Sequence, residues 1–169
     1  MKTWGVSLLA EPDFGQAWVA ARHPELRPSQ LRLVTAHDVQ RLRDELARGE
    51  VPPDLEAKLR RLATGDLGRC FIEQNCRTTI ALLQAAGEGS FAEASRAECE
   101  RLLWVLAYVR KDDDAIPDYR PDGFFDDQQE VRAAVNQLQP LLQAFKAWRL
   151  RHQVPSLWVE RAASLARAY

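Results

Sequence analysis

Seven aspartates lie close together between residues 112 and 127, and their carboxylates are near enough in the sequence to act together at a chemical site. They are Asp112, Asp113, Asp114, Asp118, Asp122, Asp126 and Asp127. Carboxylate oxygens are the ligands that Mg²⁺ and Ca²⁺ prefer, so one interpretation is a divalent-cation site. Its candidate metal ligands are Asp114, Asp118, Asp126 and Asp127. Like charges this close repel one another, so a cation or several hydrogen-bond donors must offset the repulsion.

The calcium-binding helix-loop-helix offers a spacing against which this stretch can be compared. With Asp118 as the first loop residue, Gly123 and Asp126 fall at the required sixth and ninth positions. However, Arg120 places a positive charge at the third position, and Gln129 replaces the bidentate glutamate at the twelfth. The spacing argues against a regular calcium loop. We therefore predict no cofactor, with Mg²⁺ or Ca²⁺ in a less regular site as the alternative.

A structural role is the interpretation that we favour for these carboxylates. Asp126 is suited to be the N-cap of a following helix, Asp127 to lie in its first turn, and Asp118 to form an Asx-turn after Pro117. Prolines and Gly123 should make the link stiff and exposed. No catalytic residue is predicted. The candidate motif residues are Asp114, Pro117, Asp118, Gly123, Asp126 and Asp127.

The distribution of charge suggests which cations lie near the link. Residues 81–130 carry 5 basic and 12 acidic side chains, and residues 131–169 carry 6 and 1. We expect these two segments to compensate each other in the fold. The cations expected beside the aspartates are Arg110, Lys111, Arg120 and the C-terminal arginines.

Helical periodicity dominates the sequence on both sides of the link. Apolar residues from Cys99 to Val109 recur at helical spacing and predict a central helix over 92–110, with Ser90 as its N-cap. A second apolar stripe stays in phase across Pro140 and predicts a kinked helix packed on the first, over 127–150. A break, with Pro140 at the first position of a new helix, is the alternative.

Shorter apolar stripes, separated by residues typical of helix ends, complete the helical pattern. The stripes include Val39, Leu42, Leu46; Leu55, Leu59, Leu62; Ile72, Cys76, Ile80, Leu83; Phe14, Trp18, Ala21; and Trp158, Ala162, Leu165, Tyr169. The ends of helices are predicted by a capping box at Thr35, a stop at Gly49, the pair Pro52-Pro53 ahead of Asp54, and a break at Gly87–Gly89. No strand pattern competes. We predict an all-α fold, a single domain over 1–169 built as a bundle of six or seven helices.

Composition limits the classes of function. The 169 residues are 46% hydrophobic and 28% charged with a net charge of -1, which is typical of a globular protein and gives no reason to expect nucleic-acid binding. No apolar run is long enough for a membrane span. Three cysteines are too few for a disulfide scaffold and fit a reducing compartment, so we predict a cytoplasmic protein.

The segment Ile116–Asp127, IPDYRPDGFFDD, also carries a resemblance. Preceded by Asp114, it resembles the signature of the YkvA-like family, small and mostly bacterial helical proteins of unknown function. That signature pairs an Asp-x-Ile-Pro-Asp element with a later Pro, Gly, aromatic residue and Asp-Asp. The polar Arg120 and Asp122 depart from the family's apolar character. The resemblance covers about residues 97–140 and implies a YkvA-like core at about 90–150, but no activity.

Two hypotheses of function follow. The first is a non-enzymatic helical interaction or regulatory module with a protein partner. The alternative is a divalent-metal-dependent enzyme that uses the Asp-rich link between the two core helices. Between residues 112 and 127 no histidine, lysine or serine accompanies the aspartates as a base or nucleophile, and this favours the first hypothesis.

Overall fold

The computed structural model describes residues 34–112 and 117–152, and six α-helices account for most of them. They are α1 (Ala36–Ala47), α2 (Pro53–Ala63), α3 (Leu67–Gly87), α4 (Arg96–Arg110), α5 (Phe125–Gln137) and α6 (Gln139–His152). No strand occurs within these two ranges. The predicted all-α fold is confirmed. The stripes predicted at Phe14–Ala21 and Trp158–Tyr169 lie outside the described residues.

Several helix ends form where the sequence predicts them. Thr35 caps α1 in a full capping box with Asp38. Gly49, just after α1, adopts a φ of 78°, which an L side chain disfavours. Pro53 is the first residue of α2, where its missing N–H is not needed by the helix. Local hydrogen bonding and backbone preference therefore set these ends.

The predicted start of the central helix was wrong. Its N-cap is Ser95 rather than Ser90, and the Ser95 hydroxyl accepts a hydrogen bond from the N–H of Glu98 while the Glu98 carboxylate accepts one from the N–H of Ser95. These two reciprocal hydrogen bonds give partners to two backbone N–H groups that would otherwise lack one at the start of the helix. Ser90 instead belongs to the end of α3, where its hydroxyl donates to the carbonyl of Ala85.

The predicted kinked helix over 127–150 is also wrong, because two helices occupy this stretch. Helix α5 ends at Gln137 and α6 begins at Gln139, with Leu138 in a turn between them. Pro140 is the second residue of α6, close to the first position that the alternative proposed. A proline is tolerated in a first turn, where no partner for its N–H is required.

Helix α4 is the central helix, as predicted. It packs against α1, α2, α3 and α5, and its buried residues surround most of its circumference. Around it, the apolar stripes of α1, α2 and α3 form one continuous hydrophobic core. Helix α6 extends this core by packing Phe145 and Trp148 edge-on against Phe91, with ring centroids 5.2 and 5.7 Å apart.

None of the helices within the described ranges is both long enough and apolar enough to cross a membrane.

Candidate functional site

Three of the predicted site aspartates lie inside the protein, at the junction of α2, α4 and α5. Asp127 is 0% exposed, Asp126 is 3% exposed, and the Asp118 side chain is 10% exposed. The prediction of an exposed link is therefore wrong for these three residues. Asp112 is exposed, and the predicted ligand Asp114 lies outside the described residues. The structure brings Asp118, Asp126 and Asp127 together.

The cation that offsets their charge is Lys58 of α2. Its ammonium nitrogen lies 2.8 Å from Oδ2 of Asp118 and 3.3 Å from Oδ2 of Asp127. It also donates a 2.7 Å hydrogen bond to the carbonyl of Lys111 at the end of α4. The Lys58 side chain is 1% exposed. One lysine thus ties α2 to the end of α4, to the link and to α5, and we call Lys58, Asp118 and Asp127 the clasp.

Lys58, rather than the predicted Arg110 or Lys111, supplies the cation of the clasp. Arg110 instead pairs with Glu45 and Asp54, and Lys111 pairs with Asp38. The signal that could have identified Lys58 is its place on α2. It lies three residues after Leu55 and four before Leu62, in the middle of the apolar stripe that faces the core. A lysine at such a position is buried only when it has a partner.

Asp126 is not the N-cap that the sequence predicts. Helix α5 begins at Phe125, its cap residue Phe124 makes no side-chain cap bond, and Asp126 is the second helical residue. The Asp126 carboxylate turns inward and accepts a 2.8 Å hydrogen bond from the hydroxyl of Tyr108 on α4. Asp127 lies in the first turn as predicted, where the helix dipole favours its negative charge.

Pro117 and Gly123 hold the link in a tight fold. The carbonyl of Pro117 accepts a hydrogen bond from Arg120, and the N–H of Asp118 donates to the carbonyl of Asp112. A Cβ at Gly123 would lie 2.5 Å from the oxygen of Pro117 and 2.7 Å from Cα of Asp118. Only a glycine permits this approach. The Asp118 carboxylate pairs with Lys58 instead of closing the predicted Asx-turn, because the turn directs it inward.

Burial and mutual repulsion raise the pKa values of the two carboxyl groups in the clasp, Asp118 and Asp127. Burial raises the pKa of Asp118 to about 6, with Asp112 adding to the rise and Lys58 opposing it. Burial also raises the pKa of Asp127 well above its usual range, and the neighbouring Asp126 and Asp118 act in the same direction. Oδ1 of Asp127 accepts no hydrogen bond from the described residues. Lys58 therefore does not fully compensate the carboxylates around it.

These shifts predict an unusual dependence of stability on pH. Because the pKa of Asp118 is higher in the folded chain than in the unfolded chain, the folded state holds more protons between about pH 4 and pH 6. The titration of Asp118 should therefore raise the free energy of unfolding by about 1 kcal/mol as the pH falls from 7 to 5. Urea unfolding at a series of pH values measures this change.

The Asp118→Asn variant serves as the control for this pH dependence, because it should have a flatter profile over the same range. Below pH 4 the trend should reverse. Hydrogen bonds from Thr35 and from Arg77 lower the pKa values of Asp38 and Glu56, respectively, to about 2, so their stabilisation is lost as these carboxylates become protonated. A free energy of unfolding that falls steadily from pH 7 to pH 5 would contradict the inferred shifts.

The chemistry available at the clasp is limited by Lys58. Its ammonium group lies against Asp118 and Asp127, two of the four candidate metal ligands. Within residues 34–112 and 117–152, no three histidine, cysteine, aspartate or glutamate side chains are arranged to hold a metal ion. A substrate could reach the clasp only if the link moved, because its side chains are almost fully covered. The arrangement joins helices by buried ion pairs.

A second feature, which the sequence analysis missed, is an apolar groove of about 490 Å³. It lies between the end of α1, the end of α3 and the start of α4, and we call it the α1–α3–α4 groove. Its floor is apolar, and small residues border it. The floor residues are Leu46, Leu83, Phe91 and Leu103, and the bordering residues include Ala47, Ala86, Gly87, Gly89, Ala92 and Ala94.

Among the described residues, the charged side chains that line the α1–α3–α4 groove are two arginines. Arg43 comes from α1 and Arg96 from α4. Arg43 pairs with Glu100, whereas Arg96 is exposed and makes no ion pair within the part of the chain that the structure describes. The thiol of the half-buried Cys99 also lines the groove. The sequence signal for this groove is the set of small residues between Ala85 and Ala94, several of which form its border.

Comparisons with family models, with curated proteins and with solved structures found no match to this chain. The resemblance to the YkvA-like family therefore remains a prediction based on the motif.

Proposed function

We propose that this chain is a non-enzymatic helical interaction module, and that its α1–α3–α4 groove binds an amphipathic helix carrying acidic side chains. The observation that carries the proposal is the composition of the groove: an apolar floor, with arginines as its charged lining residues. An apolar helix face would cover the floor, and carboxylates beside that face would meet Arg96. The partner is thus defined by its chemistry, as an acidic amphipathic helix of another protein.

The border of the groove suits a helix. Ala47, Ala86 and Ala92 have short side chains, so the backbone of a bound helix could approach closely and place larger side chains on the floor. Leu83 and Leu103 are already buried, so the floor keeps its shape without a ligand. A preformed site loses little conformational freedom on binding, and this supports a binding role.

The buried clasp weighs against the alternative, a metal-dependent enzyme. Lys58 lies against Asp118 and Asp127, and neither carboxylate is open to solvent as a substrate-binding ligand would be. In our proposal, the Asp-rich link serves to hold α2, α4 and α5 together. We also propose kinship with the YkvA-like family on the motif, and a cytoplasmic location, which the three free cysteines support.

A peptide pair tests the proposed function. The probe is a synthetic 18-residue helix with leucines on one face and glutamates beside them, and the control has lysines in place of the glutamates. Fluorescence anisotropy with the full chain should give at least tenfold tighter binding of the glutamate peptide, because Arg96 attracts glutamates and repels lysines. Equal binding of the two peptides would contradict the proposal.

Arg96→Glu provides the matched variant. Arg96 is exposed and is the first residue of α4, where an acidic side chain is favourable, so the fold should be retained. The variant should bind the glutamate peptide about tenfold more weakly. A second readout is alkylation by N-ethylmaleimide. The bound peptide should slow the modification of Cys99, in the groove, but not of Cys70, at the opposite end of α3.

A further inference from the structure

We propose that Asp127 keeps its proton at neutral pH, and that this proton holds the link between α4 and α5 closed against α2. Removal of the proton at alkaline pH should separate the link from Lys58. The clasp is then a pH-sensitive latch, and residues 117–124 are its moving part. This inference concerns the clasp and does not depend on what the α1–α3–α4 groove binds.

The two carboxyl groups of the clasp share one cation. Oδ2 of Asp118 lies 2.8 Å from the ammonium nitrogen of Lys58, and Oδ2 of Asp127 lies 3.3 Å from it. One ammonium group neutralises one negative charge, so two ionised carboxylates would leave a negative charge in excess inside the protein. Such a charge is costly to bury. When two carboxyl groups share a site of this kind, one of them keeps its proton.

Asp127 is the carboxyl group better suited to hold the proton. Its side chain is 0% exposed, its Oδ1 accepts no hydrogen bond, and its contact with Lys58 is the longer of the two. Asp118 is 10% exposed and has the shorter ion pair, so its negative charge is better compensated. The pKa values agree, because burial raises that of Asp127 well above its usual range and that of Asp118 to about 6.

The groups that face Asp127 from the other helices do not favour its ionisation. On α3, the thiol of Cys76 stays neutral because burial raises its pKa, and Arg77 is already paired with two glutamates. On α4, the hydroxyl of Tyr108 donates its hydrogen bond to Asp126. Asp126 itself, on α5, raises the pKa of Asp127. Lys58 therefore remains the cation on which Asp127 depends within the described part of the chain.

The link is the element that should move when Asp127 loses its proton. A second negative charge would then lie beside Asp118, and Lys58 could not compensate both. Asp127 belongs to the first turn of α5, whereas Asp118 lies in the link. The link also borders solvent, since Tyr119 is 87% exposed. Its separation from α2 would break the hydrogen bond from the N–H of Asp118 to the carbonyl of Asp112 and would carry Asp118 towards water.

The protonation of Asp127 can be measured by ¹³C NMR of the full chain, labelled at the aspartate carboxyl carbons, in a buffer that contains EDTA. At pH 7 we expect a resonance with the chemical shift of a neutral carboxylic acid, which moves to the carboxylate position only at alkaline pH. Asp127→Asn should remove it. Asp44→Asn, at an exposed aspartate of α1, is the matched control and should leave it unchanged. A parent without such a resonance, or one that survives in Asp127→Asn, would overturn the proposal.

Amide hydrogen exchange tests the opening of the latch. The measured quantity is the exchange rate of the Asp118 N–H divided by that of the Leu142 N–H, which donates to Leu138 at the start of α6. The ratio cancels the acceleration of exchange by hydroxide, which acts on both amides. From pH 7 to pH 9 it should rise at least fivefold in the parent and in Asp44→Asn.

The same ratio should stay constant in Asp127→Asn, because asparagine has no proton to lose over this range. A constant ratio in the parent would show that the link does not open and would overturn the latch. A rise that persists in Asp127→Asn would also overturn it, because Lys58 rather than Asp127 would then be the group that loses its proton.

Discussion

Replacing Lys58 by methionine should lower the free energy of unfolding by about 3–5 kcal/mol, which is typical when one partner of a buried ion pair is removed. Methionine fills a similar volume but leaves Asp118 and Asp127 buried without their cation. It also removes the donor to the carbonyl of Lys111. Urea denaturation at pH 7 measures the loss.

Lys111→Met is the matched control for this prediction. Lys111 pairs with Asp38 near the surface, and both side chains are about one-third exposed. Water can replace that partner, so the control variant should lose less than about 1 kcal/mol. Similar losses for the two variants would show that Lys58 has no special role.

Gly123→Ala should have the next largest effect, with a loss of about 1–3 kcal/mol. The added Cβ would meet the carbonyl oxygen of Pro117 at 2.5 Å and Cα of Asp118 at 2.7 Å. Both atoms belong to the backbone, so the link must open to make room, and Asp118 would be moved away from Lys58. Thermal unfolding followed by circular dichroism measures the effect.

Gly87→Ala is the control for the glycine prediction. Gly87 is the last residue of α3, and a Cβ there would meet nothing within 4 Å. Alanine stabilises a helix relative to glycine by about 0.5–1 kcal/mol, so this variant should unfold at a slightly higher temperature than the parent. If Gly123→Ala behaved in the same way, the tight approach in the link would not constrain the fold.

The helices could be predicted because their signals are local. The capping box at Thr35, the glycine at position 49 and the apolar stripes each depend on residues within a turn or two of one another. The start of the central helix could not be predicted from the capping pattern, because Ser90 and Ser95 are each followed three residues later by a glutamate, Glu93 and Glu98. Of these two pairs, Ser95 and Glu98 form the capping box of α4.

The environment of the aspartates could not be predicted because it depends on distant residues. Sequence patterns identified Asp118, Asp126 and Asp127 but placed them at the surface, where carboxylates usually lie. Their burial requires Lys58 and the hydroxyl of Tyr108, which come from two other helices. No local pattern links these positions. The α1–α3–α4 groove was missed for the same reason, since three separate elements form it.

The break at Pro140 illustrates a different limit. An apolar stripe that stays in phase across a proline is compatible with one kinked helix or with two helices. The single turn at Leu138 preserves the phase, so periodicity alone does not distinguish them. The hydrogen bond from the N–H of Leu142 to the carbonyl of Leu138 starts the new helix, and the missing donor of Pro140 costs nothing there.

A double-mutant cycle between Lys58 and the two paired aspartates tests the central claim most directly, namely that the Asp-rich link is closed by Lys58 rather than by a metal ion. The cycle compares Lys58→Met in the parent and in an Asp118→Asn/Asp127→Asn background, by urea unfolding at pH 7 with and without millimolar Mg²⁺ or Ca²⁺. We predict a coupling energy of about 2 kcal/mol or more, unchanged by either ion. Additive losses, together with a saturable stabilisation of the parent by either ion that Asp118→Asn/Asp127→Asn abolishes, would contradict this account.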